Sequence, residues 1–462
     1  MKMMTALALI LASAPAAYAA SSNLNESYIE QIGTSNSATI GQKNGNNTQA
    51  TSQTGQFNGV LSTQTGAAAG ATANNSANVQ IGSDNTAAIT QKNGSNNQAT
   101  SQTGHANGVI TTQTSKLPTG QNNSGSVQVG DFNTATTTQT NSAPNSQATG
   151  VNFANDSLSA QYGIGNTVSA KQTGGQNNQS AVQAGSDNIA TATQSDKAIT
   201  PAVGPVVGGA NTSFTGQYGD NNLVTTTQKT ADGAGTFGPQ DGYGNSSVSL
   251  QYGTNNSATT KQNGSADTAQ GTFNTSATLQ IGDSNMVSVK QGGNTSGNFG
   301  LTTAAQAAND TNGSYVSQTG SQNGATVNQA NGGNTQATIQ VGSLNTATVN
   351  QGTQVFGTGG TTNNAATSQT GTGNKATVNQ AMAVPLAVGS NNSFITQIGG
   401  SNVVNSAQTT GQQASAGNNT QVALQVGTGN IATVGQATGA GVSNTSVTAQ
   451  YGSHNVAVVT QK

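Results

Sequence analysis

The chain has no cysteine and no tryptophan among its 462 residues, and only 4% of it is aromatic and 5% charged. Without cysteine, neither disulfides nor thiolate-metal sites can hold an exported chain together, so backbone pairing has to do that work. Two or three conventional domains would be expected at this length, but a hydrophobic content of 32% cannot fill their cores. Low hydrophobicity commonly signals disorder, yet disordered chains also tend to carry high net charge, and the formal charge here is −2. The 11 Lys+Arg are scattered among 13 Asp+Glu, so no basic stripe is offered to a phosphate backbone and nucleic acid is not an expected partner. No stretch approaches the roughly 20 apolar residues of a membrane-spanning helix.

Residues 1–19 read as a signal peptide: Lys2 supplies a positive start, Met3 to Leu11 is mostly apolar, and Ala17-Tyr18-Ala19 fits a small-x-small cleavage site. After a short segment at 20–24, residues 25–462 are occupied by a repeat. One copy, VQIGSDNTAAITQ, runs from Val79 to Gln91. Written Gln-x-Gly-x-x-Asn-x-(Ala/Val)-x-x-x-Gln, it starts at Gln31, Gln53, Gln80, Gln102, Gln128, Gln161, Gln183, Gln217, Gln251, Gln280, Gln318, Gln340, Gln369, Gln397, Gln425 and Gln450. In all 16 copies the Gly stands at +2, the Asn at +5, Ala or Val at +7 and the second Gln at +11. The interval from the second Gln to the next copy varies from 11 (Gln42 to Gln53) to 27 (Gln291 to Gln318). One connection is therefore fixed and the other tolerates insertions, which predicts a strand, a tight turn, a strand and a variable return loop in each rung. Lys197 to Gly209 and Thr230 to Gly244, with Pro201, Pro205 and Pro239, read as loops bulging from the variable edge.

Alternation supports strands. Asn345, Ala347, Val349 and Gln351 share one parity, whereas Thr346, Thr348 and Asn350 share the other. The expected fold is all-β, a solenoid of about 16 stacked rungs with cross-β spacing; at about 4.8 Å per rung it spans roughly 77 Å. Stacking explains inward amides, because each can donate to one neighbouring rung and accept from the other, and a buried amide is costly only when unpaired. Three ladders follow. Gln31, Gln53, Gln80, Gln102, Gln340, Gln425 and Gln450 belong to the first. Asn36, Asn58, Asn85, Asn107, Asn345, Asn430 and Asn455 belong to the second, and Gln42, Gln64, Gln91, Gln113, Gln351, Gln436 and Gln461 to the third. Gly33, Gly55, Gly82, Gly104, Gly342, Gly427 and Gly452 open the tight turns, where a left-handed or crowded backbone favours glycine. Ala and Val at +7 fill the space between two close sheets.

The offsets of Gln, Gly, Asn, Ala and Gln resemble the curlin repeat of curli major subunits, over nearly all of the mature chain. The resemblance implies an extracellular functional amyloid, its β-solenoid subunits stacked end to end into biofilm fibres on the cell surface. It also implies export through an outer-membrane secretion channel and seeding by a nucleator subunit. This chain departs from that family in having many more rungs, longer and uneven loops, and no Gly/Asn-rich leader between the cleavage site and Asn25. Independently of the resemblance, the first strand is expected near Asn25 and the last to end at Gln461, leaving no sequence for capping rungs, and open edges recruit another copy.

Catalysis is not expected. His105 and His454, the only histidines, each fall in a turn between Gly and Asn, and Asp84, Asp187, Asp220 and Asp283 fall in the same turns. They read as turn chemistry, with the acids adding charge that slows premature stacking. No nucleophile elbow, phosphate loop, carboxylate pair or calcium-binding nonapeptide pattern emerges, and no cofactor or metal is expected. Outward residues are less uniform: some rungs place Val79 and Ile81 or Leu424 and Val426 around the first Gln, others Ser101 and Thr103. Tyr162, Tyr218, Tyr252 and Tyr451 share one outward position. An apolar stripe for lateral contact and plain strand propensity are both open readings. The alternative function is a monomeric β-solenoid acting as an adhesin or ice-binding surface, because Thr39, Thr136, Thr191, Thr225, Thr259, Thr326, Thr348, Thr377 and Thr433 would stack into an outward ladder.

Overall fold

The computed structural model describes residues 25–66, 73–115, 121–141, 154–196, 210–230, 244–264, 273–292, 312–330, 333–352, 361–382, 389–410, 417–438 and 442–462. The signal segment 1–19, the segment 20–24, and the insertion cores 197–209 and 231–243 with their prolines lie outside the described residues. Thr230 and Gly244, expected in a loop, instead close the strand Leu223–Thr230 and open the strand Gly244–Thr254. Both continue ladders of backbone bonds set by their neighbours (Thr230 opposite Gly264, Gly244 opposite Phe273): Thr230 suits a strand, and at Gly244 pairing overrides the weak strand preference of glycine.

The described chain is all-β, with thirty-two strands, two in each of sixteen rungs. Asn25–Thr34 and Ser37–Lys43 are the strands of the first rung; Asn444–Ser453 and Val456–Gln461 are those of the last. First strands pair only with first strands and second with second, forming two parallel sheets in which sequence neighbours in each sheet are one rung apart. Register is set residue for residue. Gln31 lies opposite Gln53 and Gly33 opposite Gly55, and Gln340 opposite Gln369 and Gly342 opposite Gly371.

Two compact units divide the chain. One comprises Met1–Thr200 with Ala210–Asn221, the other Pro201–Gly209 with Asn222–Lys462. Within each, burial alternates with period two along most interior strands, as in Asn46–Gln56 and Thr346–Gly352, with the buried glycines Gly216 and Gly244 breaking the pattern in their strands. Inward positions of the second strands carry the +7 Ala or Val, buried at Val60, Ala87, Val109 and Ala135 in the first unit and at Val287, Ala325, Ala347 and Ala376 in the second. The residue two further on is also inward: Ile89 in the first unit, Val327, Val349 and Val378 in the second. Opposite them, the first strands bury hydroxyls and amides, such as Gln49 and Thr51, Ser124 and Ser126, Ser247 and Ser249. The sandwich is thus lined by aliphatic side chains mainly on one side and by small polar ones mainly on the other.

Candidate functional site

The candidate site is the repeated rung itself and the two faces at which the described rungs end. In the first unit Gln31 Nε2 donates to Gln53 Oε1 at 2.6 Å, and Gln53 donates onward to Gln80 at 2.8 Å. Gln80 then donates to Gln102 at 2.8 Å. In the second unit Gln340 donates to Gln369 at 2.8 Å and Gln425 to Gln450 at 2.7 Å. The ladder of second glutamines has the same sense, from Gln42 to Gln64, Gln64 to Gln91 and Gln91 to Gln113, and in the second unit from Gln351 to Gln380 and Gln436 to Gln461. Each interior amide also donates to a backbone carbonyl, as Gln80 does to Gly59 O. Two donors and one acceptor of the carboxamide are therefore used inside a site where an unmet one would cost about 1–3 kcal/mol.

Asparagines run the opposite way. Asn58 Nδ2 donates back to Asn36 Oδ1, Asn85 to Asn58 and Asn107 to Asn85, all at 3.0–3.1 Å. In the second unit Asn345 donates to Asn323 and Asn455 to Asn430. The same amide donates forward to the turn glycine carbonyl of the next rung, as Asn345 does to Gly371 O at 2.9 Å. Asparagine thus ties each tight turn to the turns on both sides.

A fourth ladder escaped the sequence reading. Asn47 donates to Asn25 at 2.7 Å, Asn74 to Asn47, Asn96 to Asn74, and in the second unit Asn334 to Asn312 and Asn363 to Asn334. These asparagines stand six residues before the first Gln, and all 16 rungs have one. The signal is in the sequence, but this Asn precedes a motif that begins at the first Gln and is separated from the preceding copy by a loop of changing length. With it, each half of the rung carries the same Asn-x5-Gln, at the start of the first strand and just before the second, and the two halves are joined by different turns.

Glycine at +2 answers two constraints at once. Gly342 has φ +117, and a Cβ there would stand 2.0 Å from Gly371 O; at Gly33 and Gly427 the corresponding distance is 1.8 Å. Gly55, Gly82 and Gly104 are in the same position, 1.9–2.0 Å from the next glycine carbonyl. At Gly452, φ +100 in the last rung, the approach is open, with Asn455 Nδ2 nearest at 3.7 Å. Two residues further along the same turn the backbone is again left-handed, including at Phe57 (φ 55), Phe132 (φ 57) and Leu344 (φ 57), residues that rarely adopt it. These side chains are exposed.

His105 sits among the turns of the first unit. Its ring meets Ser83 Oγ at 2.8 Å, Asp84 Oδ2 at 3.3 Å and the Phe132 ring edge-on at 5.4 Å, while its backbone N–H donates to Asp131 Oδ1. Asp283 likewise accepts from the N–H and hydroxyl of Thr254. Asp84, Asp131 and Asp283 therefore hold adjacent rungs together. Among the described residues no group of three or more His, Cys, Asp or Glu could hold a metal ion, and no helix is long and apolar enough to cross a membrane.

The end rungs differ from the interior. Every residue of Asn25–Thr34 is exposed, and Val456–Gln461 alternates between exposed and half-buried. At the first rung Gln31 and Gln42 donate inward, and among the described residues nothing precedes them to donate to their Oε1. At the last described rung Gln450 and Gln461 donate to Ile431 O and Thr445 O. Compared with known proteins, the chain matches no protein-family model and no curated protein.

Proposed function

We propose that this chain is a secreted structural subunit that adds end to end into curli-like amyloid fibres of a biofilm matrix, serving adhesion and surface colonisation. The observation that carries the reading is the complementarity of the two end rungs. Because both glutamine ladders donate toward the C-terminal rung and the asparagine ladders donate toward the N-terminal rung, the faces differ in what they offer. The last rung offers Gln450 and Gln461 donors with Asn444 and Asn455 acceptors; the first offers Gln31 and Gln42 acceptors with Asn25 and Asn36 donors. A second copy docked head to tail continues all four ladders in register and brings its own turn glycine over Gly452. Open strand edges supply the backbone bonds, and a contact that repeats without closing produces a filament. The offsets shared with curlin repeats support the same reading, and with it export through an outer-membrane channel and seeding by a nucleator.

The test is a thioflavin-T time course on residues 20–462 with and without preformed seeds, followed by fibre diffraction. Templated growth requires a lag that seeds abolish and reflections near 4.8 and 10 Å. A soluble β-rich chain that never grows would sink the reading and favour the adhesive or ice-binding solenoid, for which the outward, half-buried Thr136 and Thr138 columns are the feature to probe.

A further inference from the structure

The outer faces of the two sheets in the second unit differ in chemistry. On the first sheet, outward columns flank the first Gln of each rung and carry Tyr252, Ile281, Ile339, Val341, Phe394 and Ile398, all 40–45% exposed. From Ser246 to Tyr252 in one end rung through Thr445 to Tyr451 in the other, the outward positions of this face include no Asp, Glu or Lys. On the second sheet the outward columns are Thr259, Thr326 and Thr348 beside Lys261, Asn328 and Asn350, and the unit's strand lysines Lys229, Lys261, Lys290 and Lys375 all lie on this sheet. Lys261 and Lys290 are directly opposite each other on adjacent strands. Pairing the second face with its own copy would bring ammonium groups together; pairing the first would not.

Size favours the same choice. Eight first strands belong to this unit, and at about 4.8 Å per strand and about 3.3 Å per residue over seven residues the face measures roughly 38 by 23 Å, close to 900 Å². That whole face, apolar at more than half of its outward positions and Ser, Thr, Asn or Gly at the rest, matches the about 800 Å² that each partner contributes to a standard stable interface. Side chains on it repeat with the spacing of the strands, so two such faces can interdigitate as in a dry zipper between sheets.

We infer that the outer face of the first sheet in the second unit docks onto the same face of a second copy of this chain, pairing two solenoids side by side. This contact is separate from end-to-end growth: it sets how many chains lie abreast, whether or not the ends elongate. The lysine and threonine face remains outermost in the pair.

The experiment compares wild type, I339K/I398K on the inferred contact and T348K/N350K on the opposite face. Sedimentation gives the copies per particle in the soluble fraction, and scanning transmission electron microscopy gives the mass per length of any fibre. Wild type and T348K/N350K are expected at two copies abreast, and I339K/I398K at one, a halving of particle mass and of mass per length. I339T/I398T, which keeps β-branched side chains and needs no charge on the face, is expected to halve them as well and carries the test if the lysine variant loses its β-sheet circular dichroism. A wild type one copy wide, or contact-face variants that remain paired, would overturn the inference. A chain that pairs in sedimentation but does not elongate would uphold it while sinking the fibre reading.

Discussion

The two units share their amide ladders and turns but not their cores. In the first, buried apolar residues form small islands, Val60 with Ala87 and Ile89, and Val168 with Ala181 and Ala190. In the second they run on from rung to rung, as Val287, Val289, Val316, Ala325 and Val327, and as a larger cluster from Val349 through Ile395 to Ala432. The difference comes largely from one column. Two residues after the +7 Ala or Val, the first unit places Ser62, Thr111 and Thr137 among Ile89 and Ala170, whereas the second has Val289, Val327, Val349, Val378 and Val434 broken by Thr226, Thr260 and Ser406. Both nevertheless keep the same rung. The lesson is that amide ladders and turn geometry specify this fold, while the aliphatic column adjusts how firmly it is held.

The largest expected effects are those that should be alike in both units. Gly104→Val and Gly342→Val each force a side chain into φ beyond +115 and against a carbonyl 2.0 Å away. Each should cost about 3 kcal/mol or more, read as lowered urea midpoints; a cost confined to one unit would break the claim that the turns are the common element. Next, Gln102→Ala and Gln340→Ala strand the donor of Gln80 or Gln318 and should each cost about 2 kcal/mol. Denaturation should give values within error of each other.

Core changes should then separate the units. Val349→Thr buries a hydroxyl in an aliphatic cluster and should destabilise by about 1–2 kcal/mol. Thr111→Val removes a buried hydroxyl that has no partner among the described residues and should stabilise by about 1 kcal/mol. Equal signs for the two would abolish the contrast. In native-state hydrogen exchange, amides of Gly108–Ser115 should exchange about tenfold faster than those of Thr346–Gly352. Smallest of all, Phe57→Asn and Leu344→Asn, which relieve left-handed backbone at exposed turn positions, should each stabilise by about 0.5 kcal/mol whichever unit they fall in.

Much of the rung was legible because its polar positions recur without substitution at fixed intervals: the strand-turn-strand order, the inward parity of Asn345, Ala347, Val349 and Gln351, and the placing of Gly at the tight turn. What was missed has identifiable causes. The asparagine ladder through Asn47 and Asn74 lay upstream of the residue used as anchor, beyond an insertion of changing length. Buried serines such as Ser124 and Ser126 look like surface residues to any hydropathy argument, since a strand that hides hydroxyls alternates small polar with small polar. Phe57, Phe132 and Leu344 are the last residues that local preference would place in a left-handed turn; the neighbouring turns stacked on either side impose the conformation.

Sequence by itself determined the repeating unit, because a backbone that must satisfy every amide on stacking leaves few positions for Gln, Asn and Gly. Tertiary structure alone decided the sense of the ladders, glutamines donating one way and asparagines the other, and, in the second unit, the division of the two outer faces into one without charge and one that carries lysines. Donor direction depends on which side-chain atom meets which across a gap between rungs. The character of a face depends on residues dozens apart in the chain lining up in one column, which spacing along a single rung does not contain.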